Sequence, residues 1–374
     1  MKIAIQAADL DWKRIDGTRV YILNLLKYFG RIDPVSQFLI YHRKKFNSEL
    51  TPPDFSNYKI LRKPFPFFWT QLRLCQSLLK EKPDVLWMPM HNIPIFCSKK
   101  IKTVVTIHDL AFKYFPDHFK KYDLIKLSLL AGWAVRRSDR IIAISEATKK
   151  DILKFYPKIK EDKIKVINHG FDKNVFEKVR DSEKEQEMRN KLNIQGRYIL
   201  YLGALQPRKN LKTLISAFEK LKNSSGGEYS DLKLVLAGEK AWLWKGIFEQ
   251  IKKSPVASDI ITPGKISFKN VGHLMRGAAV FCFPSLYEGF GIPVLEAFVS
   301  RVPVVCANNS SLPEVAGKAA LYFQSKDHEE LAEQIKKILD SPEIKDAMIS
   351  RGLAQAGKFS WERCARETLE YLKS

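Results

Sequence analysis

The stretch VFCFPSLYEGFGIPVLEAF, residues 280–298, governs how the rest of the chain is read. It opens on four apolar residues, Val280–Phe283, a run short and continuous enough for a strand buried on both faces. A loop carrying Glu288, Gly289, Phe290 and Gly291 follows, then Pro293 and a helical run bearing Glu296. Runs of the same kind recur upstream at Ile3–Ala7, Phe38–Tyr41, Val85–Met88, Thr103–Ile107, Arg140–Ile144 and Lys165–Ile167. Nearer to it they recur at Tyr198–Leu202, Leu232–Ala237, Pro303–Cys306 and Ala320–Phe323. Helical patterns alternate with these strands, among them Arg19–Phe29 and His328–Leu339. The second follows Asp327 as N-cap, with Glu330 three residues on. The alternation argues for an α/β protein with doubly wound parallel sheets.

One composition shift divides the chain. Residues 171–196 are almost wholly charged and polar, and read as a connector with a short solvated helix. The boundaries predicted are an N-terminal domain over 1–170, this linker, and a C-terminal domain over 197–359. Both halves are α/β, which suggests two similar sheets facing across a cleft. No internal repeat of fixed period appears.

At 374 residues, with 45% hydrophobic and 28% charged, the chain is long enough for a full core and is not disordered. Its charge is unusual: 63 Lys and Arg against 41 Asp and Glu, formally +22. Residues 1–180 hold 35 basic and 18 acidic residues, and the remainder 28 and 23. A basic first half attracts an anionic partner: nucleic acid, an anionic lipid surface or a phosphorylated substrate. The five cysteines, Cys75, Cys97, Cys282, Cys306 and Cys364, have neither metal nor redox spacing and read as reduced, mostly buried thiols. No secretory signal is visible, and the uncharged run Leu127–Val135 is half of what a spanning helix needs. The location expected is the cytoplasm, with any membrane contact peripheral.

Ligands of parallel α/β sheets bind beyond the carboxyl ends of strands. His91 and Asn92 follow one such run; His108 and Asp109 follow another. Gly203, Arg208 and Lys209 follow a third, and the Glu288–Gly291 loop a fourth. The Gly289–Gly291 loop, opening a helix, is a phosphate-cradle candidate, and equally a tight turn. Arg208 and Lys209 suit a leaving pyrophosphate, where the bland reading is a solvated pair. The carboxylates of Glu288 and Glu296 suit hydroxyls of a sugar and a ribose; solvent exposure is the plainer account of Glu288. His108 suits a hydroxyl or a proton transfer, and reads also as a buried imidazole satisfied by backbone. No zinc spacing and no carboxylate cage for a divalent ion is present.

Together these motifs resemble the family 4 retaining glycosyltransferases, which have the two-Rossmann GT-B fold and use nucleotide-sugar donors. The resemblance covers essentially the whole chain. SLYEGFGIPVLEAF matches the family's Glu-x7-Glu signature at Glu288 and Glu296, and LGALQPRKNLKTLISAF matches its phosphate motif at Arg208 and Lys209. TIHDLAF matches the N-domain His motif, and FSWERCARETLEYL resembles a tail helix, 360–374, crossing back to the first domain. The resemblance implies that Arg208 and Lys209 hold the donor diphosphate, and that Glu288 binds the sugar beside the backbone of Gly289, Phe290 and Gly291. It implies that Glu296 holds the ribose, that His108 faces the sugar ring, that Ile266 lies by the base and that Gly17 sits in a loop reaching the phosphates. Relatives often have a second glycine where Arg19 stands. His91, Asn92 and Asp109 are assigned to the acceptor side, and neither a metal nor another cofactor is expected. TIHDLAFKYFPDHF looks most like mannosyltransferase members, which favours GDP-mannose over a UDP-hexose as donor.

The partners implied are a nucleotide-sugar, a glycan or lipid-linked acceptor, and an anionic membrane surface met by the basic N-domain. Pro64–Lys82 and Phe112–Arg137 mix aromatics with cations, and read either as lipid-docking faces or as core-packed helices with solvated lysines. A nucleic-acid-binding α/β protein is the rival from another class; none of its standard modules appears.

Overall fold

The computed structural model describes the chain except residues 14, 96, 97, 99, 178–181 and 225, and except the side chains of 182 and 224. Cys97 lies outside the described residues; Cys75, Cys282, Cys306 and Cys364 are buried. Two compact units form, one of Met1–Gly170 with Phe359–Ser374 and one of Phe171–Lys358.

The first unit holds seven strands: β1 (Lys2–Gln6), β2 (Gln37–His42), β3 (Tyr58–Arg62), β4 (Val85–Met88), β5 (Lys102–Ile107), β6 (Arg140–Ala143) and β7 (Ile164–Val166). They pair in the order β3-β2-β1-β4-β5-β6-β7, every pairing parallel. The order reverses between β1 and β4, the switch point where such sheets open a crevice. The apolar runs sit where continuous burial requires: Ala4, Leu86, Val105 and Ile141 are all inaccessible. The helix Trp361–Lys373 belongs to this unit and packs on the helix Gly17–Ile32. Gly170 makes that docking possible, since a Cβ there would lie 2.0 Å from the Trp361 backbone nitrogen.

The second unit holds six strands: β8 (Tyr198–Leu202), β9 (Lys233–Ala237), β10 (Ile260–Gly264), β11 (Val280–Phe283), β12 (Val304–Ala307) and β13 (Ala320–Phe323). Their order is β10-β9-β8-β11-β12-β13, again all parallel. The switch point lies between β8 and β11.

Two strands differ from expectation, β3 and β10. Each is one of the two edge strands of its sheet. β3 has four of its five residues at least partly exposed, and β10 carries Pro263 and a register irregularity. An edge strand has one face and one rim in water, so no continuous apolar run marks it. The stretch 171–196 also corrects its reading as a solvated connector. Phe176, Glu185 and Met188 are buried. Arg276, on the helix Phe268–Arg276, donates from Nε to Glu185 at 3.0 Å and from Nη1 to the Phe176 carbonyl at 3.3 Å. A helix with a single apolar residue, Met188, is thus tied into the unit through a buried ion pair as well, which hydropathy does not register. The aromatic-and-basic stretches are likewise mixed: Trp69 and Phe112 are core residues, whereas Phe67, Phe68, Tyr122 and Leu129 are exposed.

Candidate active site

In the second unit, the site grows from the loop between β11 and the helix Ile292–Val299. Gly291 caps that helix with φ +116°, a conformation closed to most residues, and its missing Cβ avoids Leu312 Cδ2 at 2.9 Å. Pro293 stands in the first turn, where no N–H is lost. The loop after β12 braces this segment. Ser310 Oγ accepts from Glu288 N at 3.0 Å, and Ser311 Oγ donates to Phe290 O at 2.6 Å. Asn309 Nδ2 donates to Ser285 O at 3.0 Å. The bracing side chains are short and polar, and the backbone of Gly289 is left between two fixed neighbours.

Arg208 and Lys209 reach the same loop from beyond β8. Arg208 Nη1 donates to Tyr287 O at 2.5 Å and lies 3.6 Å from Glu288 Oε2; Lys209 Nζ pairs with Glu288 Oε1. Leu286 N donates to Arg208 O at 2.9 Å, so the two segments are also tied by backbone. Burial alone would raise the Glu288 carboxyl; Lys209 and Arg208 reverse this and hold it below its ordinary value. Glu288 is therefore an ionised carboxylate between two cations, not a solvent-exposed side chain.

Glu296 lies apart from this cluster, on the helix face. Burial drives its carboxyl up to about 8, and the Asp172 carboxylate adds to the shift. Gly203 follows β8, where its N–H donates to Ala237 O at 3.0 Å. Ile266 is half-buried past the carboxyl end of β10, next to Lys265, which pairs with Glu239 at 3.1 Å. Asn210, Asn309 and Asp172 were not singled out from the sequence. Asn210 has left-handed backbone, and its Nδ2 donates to Pro284 O at 3.1 Å and to Ser325 O. Its position directly after the Arg-Lys pair was the available signal.

In the first unit the candidates ring the β1/β4 switch point. Gly17 opens the helix Gly17–Ile32, capped by Asp16, whose Oδ1 accepts from Arg19 N at 3.3 Å. Neither Gly17 nor Arg19 is in the left-handed region, so Arg19 fits the first turn without backbone strain. His108 Nε2 lies 2.8 Å from Pro89 O, and its ring meets Tyr21 edge-on at 5.1 Å. Burial lowers its pKa to about 4, against the opposing pulls of the Pro89 carbonyl and Asp109. His91 is lowered too, by burial, with Asp109 opposing. Asp109 Oδ1 accepts from Ala111 N at 3.0 Å, and Asn92 Nδ2 donates to Thr70 Oγ1 at 3.3 Å. Tyr21 stacks on His169 at 4.6 Å, and Thr106 Oγ1 joins Tyr21 and Trp87 beneath. The first unit thus presents neutral imidazoles on an aromatic floor. Among the described residues no three His, Cys, Asp or Glu side chains come together as a metal site.

The description "Glycosyltransferase Family 4" matches residues 15–175, and "Glycosyl transferases group 1" matches residues 182–355. The chain belongs to this family of glycosyltransferases. O-antigen chain mannosyltransferase B of Escherichia coli is 29% identical over 276 residues, 73% of this chain and 70% of that protein. The serotype-specific mannosyltransferase WbdA of Escherichia coli is 28% identical over 76% of this chain, a span that is only 34% of WbdA. The crystal structure of Anabaena HepE in complex with UDP and glucose matches with a TM-score of 0.75, covering 100% of this chain and 99% of that one at 18% identity. At that identity the likeness speaks for the fold.

Proposed function

We propose that the chain is a retaining hexosyltransferase of cell-envelope glycan synthesis, moving mannose from GDP-mannose onto a lipid-linked or polysaccharide acceptor. The observation that carries the reading is the Arg208–Glu288–Lys209 cluster at the start of the Ile292–Val299 helix. Mannosyltransferases among the relatives support the sugar. In this reading Arg208 and Lys209 take the donor diphosphate, and Glu288 is freed to accept hydrogen bonds from the sugar hydroxyls. The helix start and the backbone of Gly289, Phe290 and Gly291 add fixed partial positive charge. Glu296 receives the ribose hydroxyls, Gly203 and Ile266 border the nucleotide, and Gly17 contributes the amino-terminal loop.

The acceptor hydroxyl oxygen bonds to the anomeric carbon as the carbon–oxygen bond to the diphosphate breaks. Its proton passes to the departing nucleoside diphosphate, on the same face of the sugar. Negative charge grows on the diphosphate, so prepositioned cations and N–H groups stabilise the transition state most. His108, neutral at physiological pH, is suited to hold a sugar hydroxyl rather than to supply charge. His91, Asn92 and Asp109 belong to the acceptor side.

The reading also places the protein at the inner face of the cell membrane. No helix among the described residues is long and apolar enough to cross a membrane. The helix Lys121–Arg137 exposes Tyr122, Ile125, Leu129 and Trp133 at helical spacing, among Lys121, Lys126, Arg136 and Arg137. That pattern suits an anionic headgroup layer.

The test is binding and hydrolysis of GDP-mannose, UDP-glucose, UDP-galactose and UDP-N-acetylglucosamine, with and without EDTA. GDP-mannose should bind, survive EDTA and be lost in Lys209→Ala and Glu296→Ala. Preference for a UDP-sugar would overturn the donor, and binding of none would overturn the reading.

A further inference from the structure

The first unit carries a second charged feature, at the amino-terminal ends of β6 and β7. This is the opposite end of the sheet from His91, His108 and Gly17. A hollow of about 460 Å3 opens there, lined by Arg136, Arg140, Lys158, Lys160 and Lys163. Two carboxylates share the wall, Asp139 and Asp162. Asp139 is already committed, since its Oδ2 accepts from Thr103 N and Thr103 Oγ1, each at 2.7 Å. Glu161, beside the hollow in sequence, turns away to Lys149 at 2.7 Å. Among the described residues no carboxylate pairs with Arg136, Lys158 or Lys160.

Several of these cations are held rigidly. Arg140 Nη1 donates to Tyr371 O at 2.8 Å, and its guanidinium lies 4.9 Å from the Tyr371 ring centre. Lys163 Nζ donates to Val135 O at 2.9 Å and to Arg136 O at 3.2 Å, the carbonyls ending the Lys121–Arg137 helix. The Arg136 guanidinium lies 5.6 Å from the Tyr156 ring centre. Burial lowers the pKa of Lys163, and burial followed by repulsion from Arg140 lowers that of the neighbouring Lys102. Five cations share this wall with two carboxylates, Asp139 and Asp162, an excess of positive charge that an incoming anion relieves.

We propose that this hollow binds a phosphate-bearing anion, at a site distinct from the one proposed for the nucleotide-sugar. Arg140, whose Nη1 is taken by Tyr371 O and Ser374 Oγ, turns Nε and Nη2 to phosphate oxygens, the lysines supply point charges, and Ile159 gives one apolar wall. The phosphate belongs either to a soluble compound or to an anionic lipid headgroup.

The experiment titrates inorganic pyrophosphate calorimetrically, at low salt, into the full chain carrying Lys209→Ala. That background silences the other proposed diphosphate site. Adding Lys158→Ala and Lys160→Ala, both exposed positions, should weaken binding about tenfold or more. Melting temperature and, with Lys209 restored, donor hydrolysis should stay unchanged. Sedimentation with phosphatidylglycerol vesicles, against phosphatidylcholine vesicles, forms the second arm. Loss of vesicle binding in the Lys158→Ala, Lys160→Ala chain supports the pocket and assigns the headgroup. Unchanged vesicle binding with weakened pyrophosphate binding supports it and assigns a soluble phosphate. If neither ligand responds to the two substitutions, or neither binds, the proposal is overturned, whatever the donor panel shows.

Discussion

Beyond β11 in the second unit, Glu288 is held between Lys209 and Arg208, and its loop is braced by Ser310 and Ser311. Beyond β5 in the first unit, His108 pairs with the Pro89 carbonyl and packs on Tyr21. The same topology therefore ends in fixed ions on one sheet and in neutral rings on the other. Charge that develops on a departing diphosphate needs the first kind of surface. Orientation of uncharged hydroxyls needs only the second. Burial acts on both, but the two cations of the second unit reverse its effect on Glu288, while nothing reverses it on His108.

The sharpest way to break this contrast is to remove a buried charge that holds the second unit together. Arg276→Ala removes the buried cation that Glu185 meets and should cost about 3–5 kcal/mol in urea unfolding. Amide exchange should rise in residues 182–191. If those amides are indifferent, the segment is not the integral part of the second unit that the Arg276–Glu185 pair makes it. Next in size is the cation at the candidate site. Lys209→Ala should lower transfer about 100- to 1000-fold, as removal of a prepositioned charge does. His108→Ala should cost only about tenfold, the scale of one neutral hydrogen bond. Equal losses in the two variants would erase the distinction between an ionic and a neutral end.

The two units should also answer pH in opposite directions. Glu296 moves from 4.5 to about 8 on folding, so between those values the folded state binds the extra proton. Its contribution to stability is full below 4.5 and is lost as pH rises through 8. His108 moves from 6.5 to about 4, so the unfolded chain binds the extra proton there. Its contribution is full above 6.5 and is lost as pH falls through 4. Urea midpoints measured from pH 4 to 9 should show Glu296→Gln flattening the alkaline limb and His108→Asn reducing the acid limb. A Glu296→Gln variant that keeps the alkaline loss would mean that another group carries it.

Much of the fold was legible because buried parallel strands announce themselves. Val280–Phe283 and Val85–Met88 are observed as expected, since a strand covered on both faces has no reason to alternate. β3 was not legible because most of its residues face water, and β10 because Pro263 and Gly264 break its apolar run. At the candidate site, residue types were readable and partnerships were not. Arg208, Lys209 and Glu288 stand out by type and place, yet residues 79 positions apart pair only because β8 and β11 are neighbours. Asp172 acts on Glu296 from a segment whose composition says solvent.

Helix caps offer the smallest and most local comparison. Asp327 Oδ1 accepts from Glu329 N and Glu330 N at 3.0 and 2.9 Å, as the S/T/D-x-x-E pattern foretells. Glu330 departs from that pattern in one respect, since its carboxylate turns to Gln324 N at 2.6 Å rather than to the cap residue. Asp327→Ala should cost about 1 kcal/mol in stability and leave transfer unchanged. Asp16 caps the Gly17–Ile32 helix at 3.3 Å and also pairs through Oδ2 with Arg19 Nη1, so Asp16→Ala should likewise cost about 1 kcal/mol. Its effect on transfer should nonetheless be the larger of the two, because this helix start is the one proposed to reach the donor phosphates. Measuring melting temperature and turnover for both variants separates a cap that only holds a helix from one that also aims it. If Asp16→Ala loses stability and turnover no differently from Asp327→Ala, the Gly17 loop has no part in donor binding, and the second unit must supply the diphosphate contacts alone.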